Sequence, residues 1–112
     1  MTVVPLRPRP PAWAVLATAL AQCRPVHACY HGRDRLLCPH VLGWGNGRAM
    51  VLCYQAAGST SDRALPPDPR HRWRCMFVDE LEHVVITNEP WQTAENYKGY
   101  SNSIDRIELR VE

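Results

Sequence analysis

Six side chains that can bind a metal or act as nucleophiles fall within residues 23–40. They are Cys23, His27, Cys29, His31, Cys38 and His40. Imidazole nitrogens and thiolates at this density could close a tetrahedral zinc site. On an extended strand, however, His27 and His31 lie about 13 Å apart, and no C-x-x-C pair accompanies them. Strand alternation that exposes the histidines and buries the thiols explains the pattern without a metal, so we predict no metal site.

The motifs of common enzyme classes are missing from the sequence. It contains no G-x-S-x-G nucleophile turn, no P-loop and no H-E-x-x-H zinc motif. Cys29 beside His27 or His31 can be drawn as a nucleophile and its base, but such same-face neighbours are common on strands. Asp79 and Glu80 are more typical of a turn than of a pair of catalytic acids. We therefore predict a protein without catalytic residues, enzymatic activity or cofactor.

Arginines and aromatic residues form a second group, one that could bind an anion. Arg48, Arg72 and Arg74 lie on segments that we expect to be neighbouring strands. Guanidinium groups bind phosphates through paired hydrogen bonds, and aromatic rings stack on nucleobases. The alternative is a solvated strand face on which arginine stems cover apolar surface. The predicted ligand-binding residues are Arg35, Arg48, Tyr54, Arg72, Trp73 and Arg74.

The charge of the chain is unevenly distributed, which permits a local basic patch. The 112 residues carry 13 basic and 11 acidic side chains, for a net charge of +2. Ten Arg and three Asp fall in residues 1–77, whereas residues 78–112 hold eight acidic and three basic side chains. A histone-like polycation and an acidic tail protein are therefore excluded. GC-rich coding would produce the same excess of Arg over Lys.

The apolar pattern that must position these residues changes its period near residue 25. Within residues 11–23, Trp13, Leu16 and Leu20 recur at helical spacing, and Pro11 suits a first turn. Predicted strands follow at 26–30, 35–44, 48–55, 72–78, 83–87 and 107–111, with a long loop at 56–71. The strand at 48–55 is apolar almost throughout, which indicates a central position in the sheet. Pro39 restricts its strand to an edge or a bulge. The pattern predicts a mainly β (α+β) fold, a small SH3-like or Sm-like antiparallel barrel with one N-terminal helix.

We divide the chain into a flexible Pro-rich N-terminus (1–10), the barrel with its leading helix (11–90) and a C-terminal extension (91–112) with a last strand. No apolar run reaches the roughly 20 residues of a membrane span, so we predict no membrane partner. Five Cys is an odd number that favours reduced thiols and a cytoplasmic protein. Arg7 and Arg9 before an apolar run also outline a signal peptide, which remains the alternative for residues 1–22.

The order of several short motifs resembles the WYL-domain family over about residues 15–90. These motifs are Tyr30-His31-Gly32, the strand with Pro39 and Gly43, Asn46-Gly47-Arg48 before a buried strand, and the aromatic-Arg strand closing in Asp79. The name-giving Trp-Tyr-Leu positions hold Ala49, Met50 and Val51 here, and Phe77 replaces a basic residue. The resemblance implies a stand-alone barrel that senses ligands, often nucleotides or single-stranded nucleic acid.

These observations predict a non-enzymatic, ligand-sensing accessory module that binds an anion, either a nucleotide or single-stranded nucleic acid. The alternative is a homodimeric interaction module without a small ligand. In that case the helix carrying Trp13 and the strand at 107–111 would bury against a second copy. A sensor predicts that Arg72→Ala and Arg74→Ala change binding but not folding, because exposed charges contribute little to stability.

Overall fold

A computed structural model describes residues 8–60 and 63–112. In this part of the chain one α-helix precedes six β-strands. They are α1 Ala12–Gln22, β1 Val26–Tyr30, β2 Arg33–Gly45, β3 Arg48–Gly58, β4 Trp73–Phe77, β5 Leu81–Ile86 and β6 Arg106–Arg110. Two 3₁₀ turns, Pro69–His71 and Val78–Glu80, flank β4. The predicted class is confirmed: the fold is mainly β and antiparallel, with one N-terminal helix. The predicted loose segment 1–10 lies largely outside the described residues.

The long strand β2 is the spine of a single antiparallel sheet. The strand order is β4-β3-β2-β1-β5, and β6 also pairs with β2. Residues 33–37 of β2 pair with β1 and residues 41–44 pair with β6, so these two strands share one edge of β2. The two ends of the path, β4 and β5, are joined only by the 3₁₀ turn Val78–Glu80. The sheet therefore curls enough to bring the end of β4 and the start of β5 within one short turn of each other.

The helix packs one apolar face into the main core. Trp13, Leu16, Ala19 and Leu20 are buried there, and the Trp13 ring stacks on Trp44 with centroids 5.4 Å apart. Burial of residues at this spacing is what stabilises a helix of only 11 residues. The helix face that we considered for a second copy is therefore filled within the chain. No helix among the described residues has the length and apolar character that crossing a bilayer requires.

A second core lies on the opposite face of the sheet, under the C-terminal segment. Its buried members are Val41, Met50, Leu52 and Ile104, with Tyr97 and Ile107 packed against them. Ala49, Val51 and Cys53 belong to the main core instead. Because successive strand residues point to opposite faces, the continuous apolar run of β3 supplies both cores. The segment after residue 90 is therefore an integral part of the fold.

Pro39 lies at a β-bulge in the central strand β2. Pro39 pairs with Cys53 and Val41 pairs with Leu52, which leaves His40 as an extra, unpaired residue. A bulge tolerates the missing N–H of proline and redirects the side chain of the extra residue. His40 consequently points into the second core, where its ring meets Trp73, Trp91 and Tyr97. The prediction that Pro39 lies at a sheet edge or at a bulge is confirmed, and the structure has it at a bulge.

Candidate anion-binding site

The structure does not bring Arg48, Arg72 and Arg74 together. Arg74 pairs with Cys53 of the main core, so its side chain shares that face of the sheet. Arg48 begins β3, five residues before Cys53, which is about 16 Å along an extended strand. Arg48 lies two residues before Met50, so its side chain is on the face of the sheet that carries the second core. The predicted residues therefore divide between the two faces of the sheet, because neighbours in a strand alternate.

Acidic side chains neutralise Arg48. Its Nη2 donates to Asp79 Oδ1 at 2.7 Å and to Glu80 Oε2 at 3.1 Å, and its guanidinium carbon lies 3.6 Å from the centre of the Phe77 ring. The hydrogen bond to Asp79 has the larger effect and the one to Glu80 the next, and both raise the pKa of Arg48. Clefts of about 480 and 450 Å³ open beside Arg48, but each is also lined by an aspartate. Arg48 is therefore poorly suited to recognise an anion.

The aromatic residues Tyr54 and Trp73 are part of the protein interior. Tyr54 is only 2% exposed. Trp73 donates its Nε1 hydrogen to Asn96 Oδ1 at 2.9 Å and stacks on Tyr97 with ring centroids 5.5 Å apart. Both rings lie on the second-core face, opposite Arg74. They stabilise the packing of residues 91–105, and we no longer expect them to stack on a base bound near Arg74.

Arg72 and Arg74 keep their positive charge uncompensated. Arg72 Nε donates to the Pro66 carbonyl at 2.7 Å, and Arg74 Nη1 donates to the carbonyls of His71 and Trp73 at 2.9 and 2.8 Å. A carbonyl accepts a hydrogen bond but supplies no negative charge. Within the described residues, neither guanidinium forms an ion pair with a carboxylate. The two side chains are therefore fixed in position while their charge stays available.

Arg35 is the most unusual of the predicted residues, because its charge is buried. The residue is 4% exposed; Nη2 donates to the Tyr30 carbonyl at 3.1 Å and Nη1 to Gln55 Oε1 at 3.4 Å. Among the described residues, no acceptor lies within hydrogen-bond distance of the Nε hydrogen. Burial lowers the pKa of Arg35, and the charges of Arg74 and Arg33 lower it further. A buried cation without a carboxylate is costly, so its presence requires an explanation.

We define the guanidinium site as Arg33, Arg35 and Arg74. Arg33 and Arg35 share a face of β2 because they are two residues apart. Arg74 lies on the same face of the sheet, and the charges of Arg33 and Arg74 both lower the pKa of Arg35. Gln55 lies beside Arg35 at the end of the core-facing register of β3, and the Tyr30 ring lies 5.3 Å from the Arg35 guanidinium carbon. The predicted ligand-binding residues thus lacked Arg33, Tyr30 and Gln55. The sequence signal for Gln55 was a glutamine that continues the apolar register of residues 49, 51 and 53.

The cysteines and histidines of residues 23–40 do not converge. Among the described residues, no group of three or more His, Cys, Asp or Glu is positioned to hold a metal ion. All five cysteines are free. Burial raises the pKa of Cys38 to about 11 and also raises the pKa values of Cys53 and Cys75. These three thiols remain protonated at neutral pH, which makes them poor nucleophiles.

Comparison of the chain with protein-family models, curated proteins and solved structures gives no match. The resemblance to the WYL-domain family therefore stays a prediction that rests on its sequence motifs. What the protein binds has to be inferred from the chemistry of the guanidinium site.

Proposed function

We propose that this protein is a non-enzymatic, cytoplasmic accessory module that senses an anionic ligand, a nucleotide or single-stranded nucleic acid. The observation that carries the proposal is the guanidinium site: its three arginines lie on one face of the sheet, and none of them forms an ion pair with a carboxylate among the described residues. A bound phosphate would supply the missing negative charge. The ligand class agrees with what the WYL-domain resemblance implies, and the five free thiols fit a reducing compartment.

The electrostatics of the guanidinium site favour anion binding. Like charges repel one another, so three neighbouring guanidinium groups are stabilised when an anion enters. Asp34 lies between Arg33 and Arg35 in sequence, but alternation directs its side chain to the other face of β2. Arg74 and Arg35 are held by hydrogen bonds to fixed carbonyl groups. Such pre-organised donors need little reordering on binding, which favours affinity.

An exposed ring beside the site could accept a base. The His31 imidazole stacks on Tyr30 with ring centroids 4.0 Å apart, and its side chain is 49% exposed. The Tyr30 ring in turn contacts the Arg35 guanidinium. Glu80 Oε1 holds the His31 ring in place through a 2.6 Å contact with Nε2. A nucleobase stacked on His31 would thus place its phosphate near the guanidinium site, in agreement with a nucleotide ligand.

The proposal predicts salt-dependent binding of a fluorescein-labelled single-stranded oligonucleotide, measured by fluorescence anisotropy. With three phosphate contacts, the logarithm of the affinity should fall against the logarithm of salt concentration with a slope of about −2. Arg33→Ala and Arg74→Ala should each weaken binding roughly tenfold, the value of one charge-assisted hydrogen bond. Both variants should keep the unfolding free energy within about 0.5 kcal/mol of the wild type.

Arg106→Ala is the matched control, because it removes one exposed arginine at the opposite end of β2. It should bind the oligonucleotide as the wild type does. An absence of binding at low salt, or an equal loss of affinity in all three variants, would exclude the guanidinium site as the binding surface.

A further inference from the structure

Resting on the proposed function, we infer that the ligand presents a terminal phosphoryl group and that the buried Arg35 binds it through Nε. The ligand class is then a nucleotide or a strand with a 5′-phosphate. The interior of a strand, where every phosphate is a diester, is not the recognised part. The observations that carry the inference are the burial of Arg35, its unpaired Nε and the uneven quality of its other hydrogen bonds.

The hydrogen bonds of Arg35 leave one direction open. A guanidinium has five N–H groups, and within the described part of the chain only Nη1 and Nη2 of Arg35 have acceptors. The acceptor of Nη1, Gln55 Oε1, is at 3.4 Å, near the limit of a hydrogen bond. Phosphate binds arginine best through two parallel N–H···O bonds. Nε and its neighbouring N–H group are therefore the available pair for two phosphate oxygens.

The burial of Arg35 selects the kind of phosphate. A phosphodiester carries a sugar on each side, and the strands around a residue that is 4% exposed would exclude those sugars. A terminal phosphoryl group has three free oxygens and a charge of about −1.5 to −2 at neutral pH. It carries no second sugar and is more strongly charged than a diester. The positive charges of Arg33 and Arg74 match this higher charge.

The same burial predicts that Arg35 lowers the stability of the protein without ligand. A buried, uncompensated charge is unfavourable, and an apolar side chain of similar length often improves stability at such positions. Met fills similar space and keeps contact with the Tyr30 ring. If Arg35 is retained to bind phosphate, Arg35→Met should bind poorly and unfold at an equal or higher urea concentration. If Arg35 is structural, the variant should unfold earlier.

Two oligonucleotides of identical sequence, one with a 5′-phosphate and one with a 5′-hydroxyl, test the inference on the unmodified protein. Both carry a 3′-fluorophore, and their affinities are compared by anisotropy, with inorganic phosphate as competitor. We expect the phosphorylated strand to bind roughly tenfold more tightly. Inorganic phosphate should reduce this advantage. Arg35→Met should abolish the preference for the phosphorylated strand. Arg74→Ala should weaken the binding of both strands.

The outcomes separate the inference from the function on which it rests. Equal affinity for the two strands, with binding still weakened in Arg74→Ala, overturns the terminal-phosphate inference and leaves the anion-binding function intact. No binding of either strand contradicts the function itself. An Arg35→Met variant that unfolds at lower urea, or that still prefers the phosphorylated strand, overturns the assignment to Arg35.

Discussion

Gly43→Ala should lower the free energy of unfolding by about 3 kcal/mol, the upper range for overpacking in a well-packed interior. A Cβ atom at this position would clash with the carbonyl oxygen of Arg106 and would lie 2.9 Å from Cγ2 of Ile104. The carbonyl belongs to β6, which pairs with β2 at this point. The added methyl group must therefore displace the C-terminal strand. Urea denaturation followed by tryptophan fluorescence measures the effect.

Gly32→Ala is the informative comparison for Gly43→Ala. Gly32 has a φ of +74° and no atom within 4 Å of an added Cβ, so only backbone strain opposes the substitution. That strain costs roughly 1–2 kcal/mol. We expect Gly43→Ala to be clearly the more destabilising of the two. If its cost were equal to or below that of Gly32→Ala, β6 would not lie against β2 as described.

His40→Phe should lower the free energy of unfolding by about 2 kcal/mol at pH 7.5, because the buried Cys38 carbonyl loses its partner and the hydrogen bond to the Thr93 hydroxyl is also lost. His40 is 1% exposed; its Nδ1 hydrogen must be donated to the Cys38 carbonyl at 2.7 Å, so Nε2 accepts from the Thr93 hydroxyl at 2.9 Å. Phenylalanine can replace the ring contacts but neither hydrogen bond. The same variant should also change how stability depends on pH.

Burial lowers the pKa of His40, which gives the pH effect its sign. The contribution of neutral His40 to the free energy of unfolding is complete above the ordinary histidine pKa of about 6.5. It decreases below that pH, because the unfolded chain then binds a proton more readily than the folded chain does. The wild type should lose up to about 1 kcal/mol between pH 6.5 and 5.5. His40→Phe should remove this loss. The pKa of Glu80 lies below its ordinary value, so that carboxyl titrates outside this range.

His27→Gln is the control for the pH experiment, since it removes an exposed histidine from β1. It should keep the wild-type dependence on pH. A wild-type stability that is constant between pH 6.5 and 5.5, or a His40→Phe variant that retains the full loss, would show that His40 is not held neutral in the second core.

The strands and the helix could be predicted from the sequence because their signals are local. The change from helical to period-two spacing located α1 and β1. Asn46-Gly47, a dipeptide that favours a tight hairpin turn, lies between β2 and β3. The role of residues 91–105 could not be predicted in this way. Their packing over the second core depends on single long-range contacts, such as Trp91 on His40 and the Tyr97 hydroxyl on the Val111 carbonyl. Such contacts leave no periodic pattern in the sequence.

The binding residues were only partly predictable, because strand parity and long-range ion pairs decide which charges are available. Arg74 and Trp73 are adjacent in sequence, and for that reason they lie on opposite faces of β4. The neutralisation of Arg48 depends on the 3₁₀ turn bringing Asp79 and Glu80 next to the start of β3. A sequence pattern shows neither relation with certainty. Arg35 was identified as a candidate, but its burial became visible only in the structure.

The Nε–Hε resonance of Arg35 in a ¹H–¹⁵N NMR spectrum gives the most direct test of anion binding at the guanidinium site. Titration with inorganic phosphate should shift this resonance, together with the backbone amides of Arg33, Gln55 and Arg74. The resonances of Arg48 and Phe77 should not move. Shifts confined to Arg48 and its surroundings, or no shift of the Arg35 resonance at saturating phosphate, would contradict the assignment of anion binding to this site.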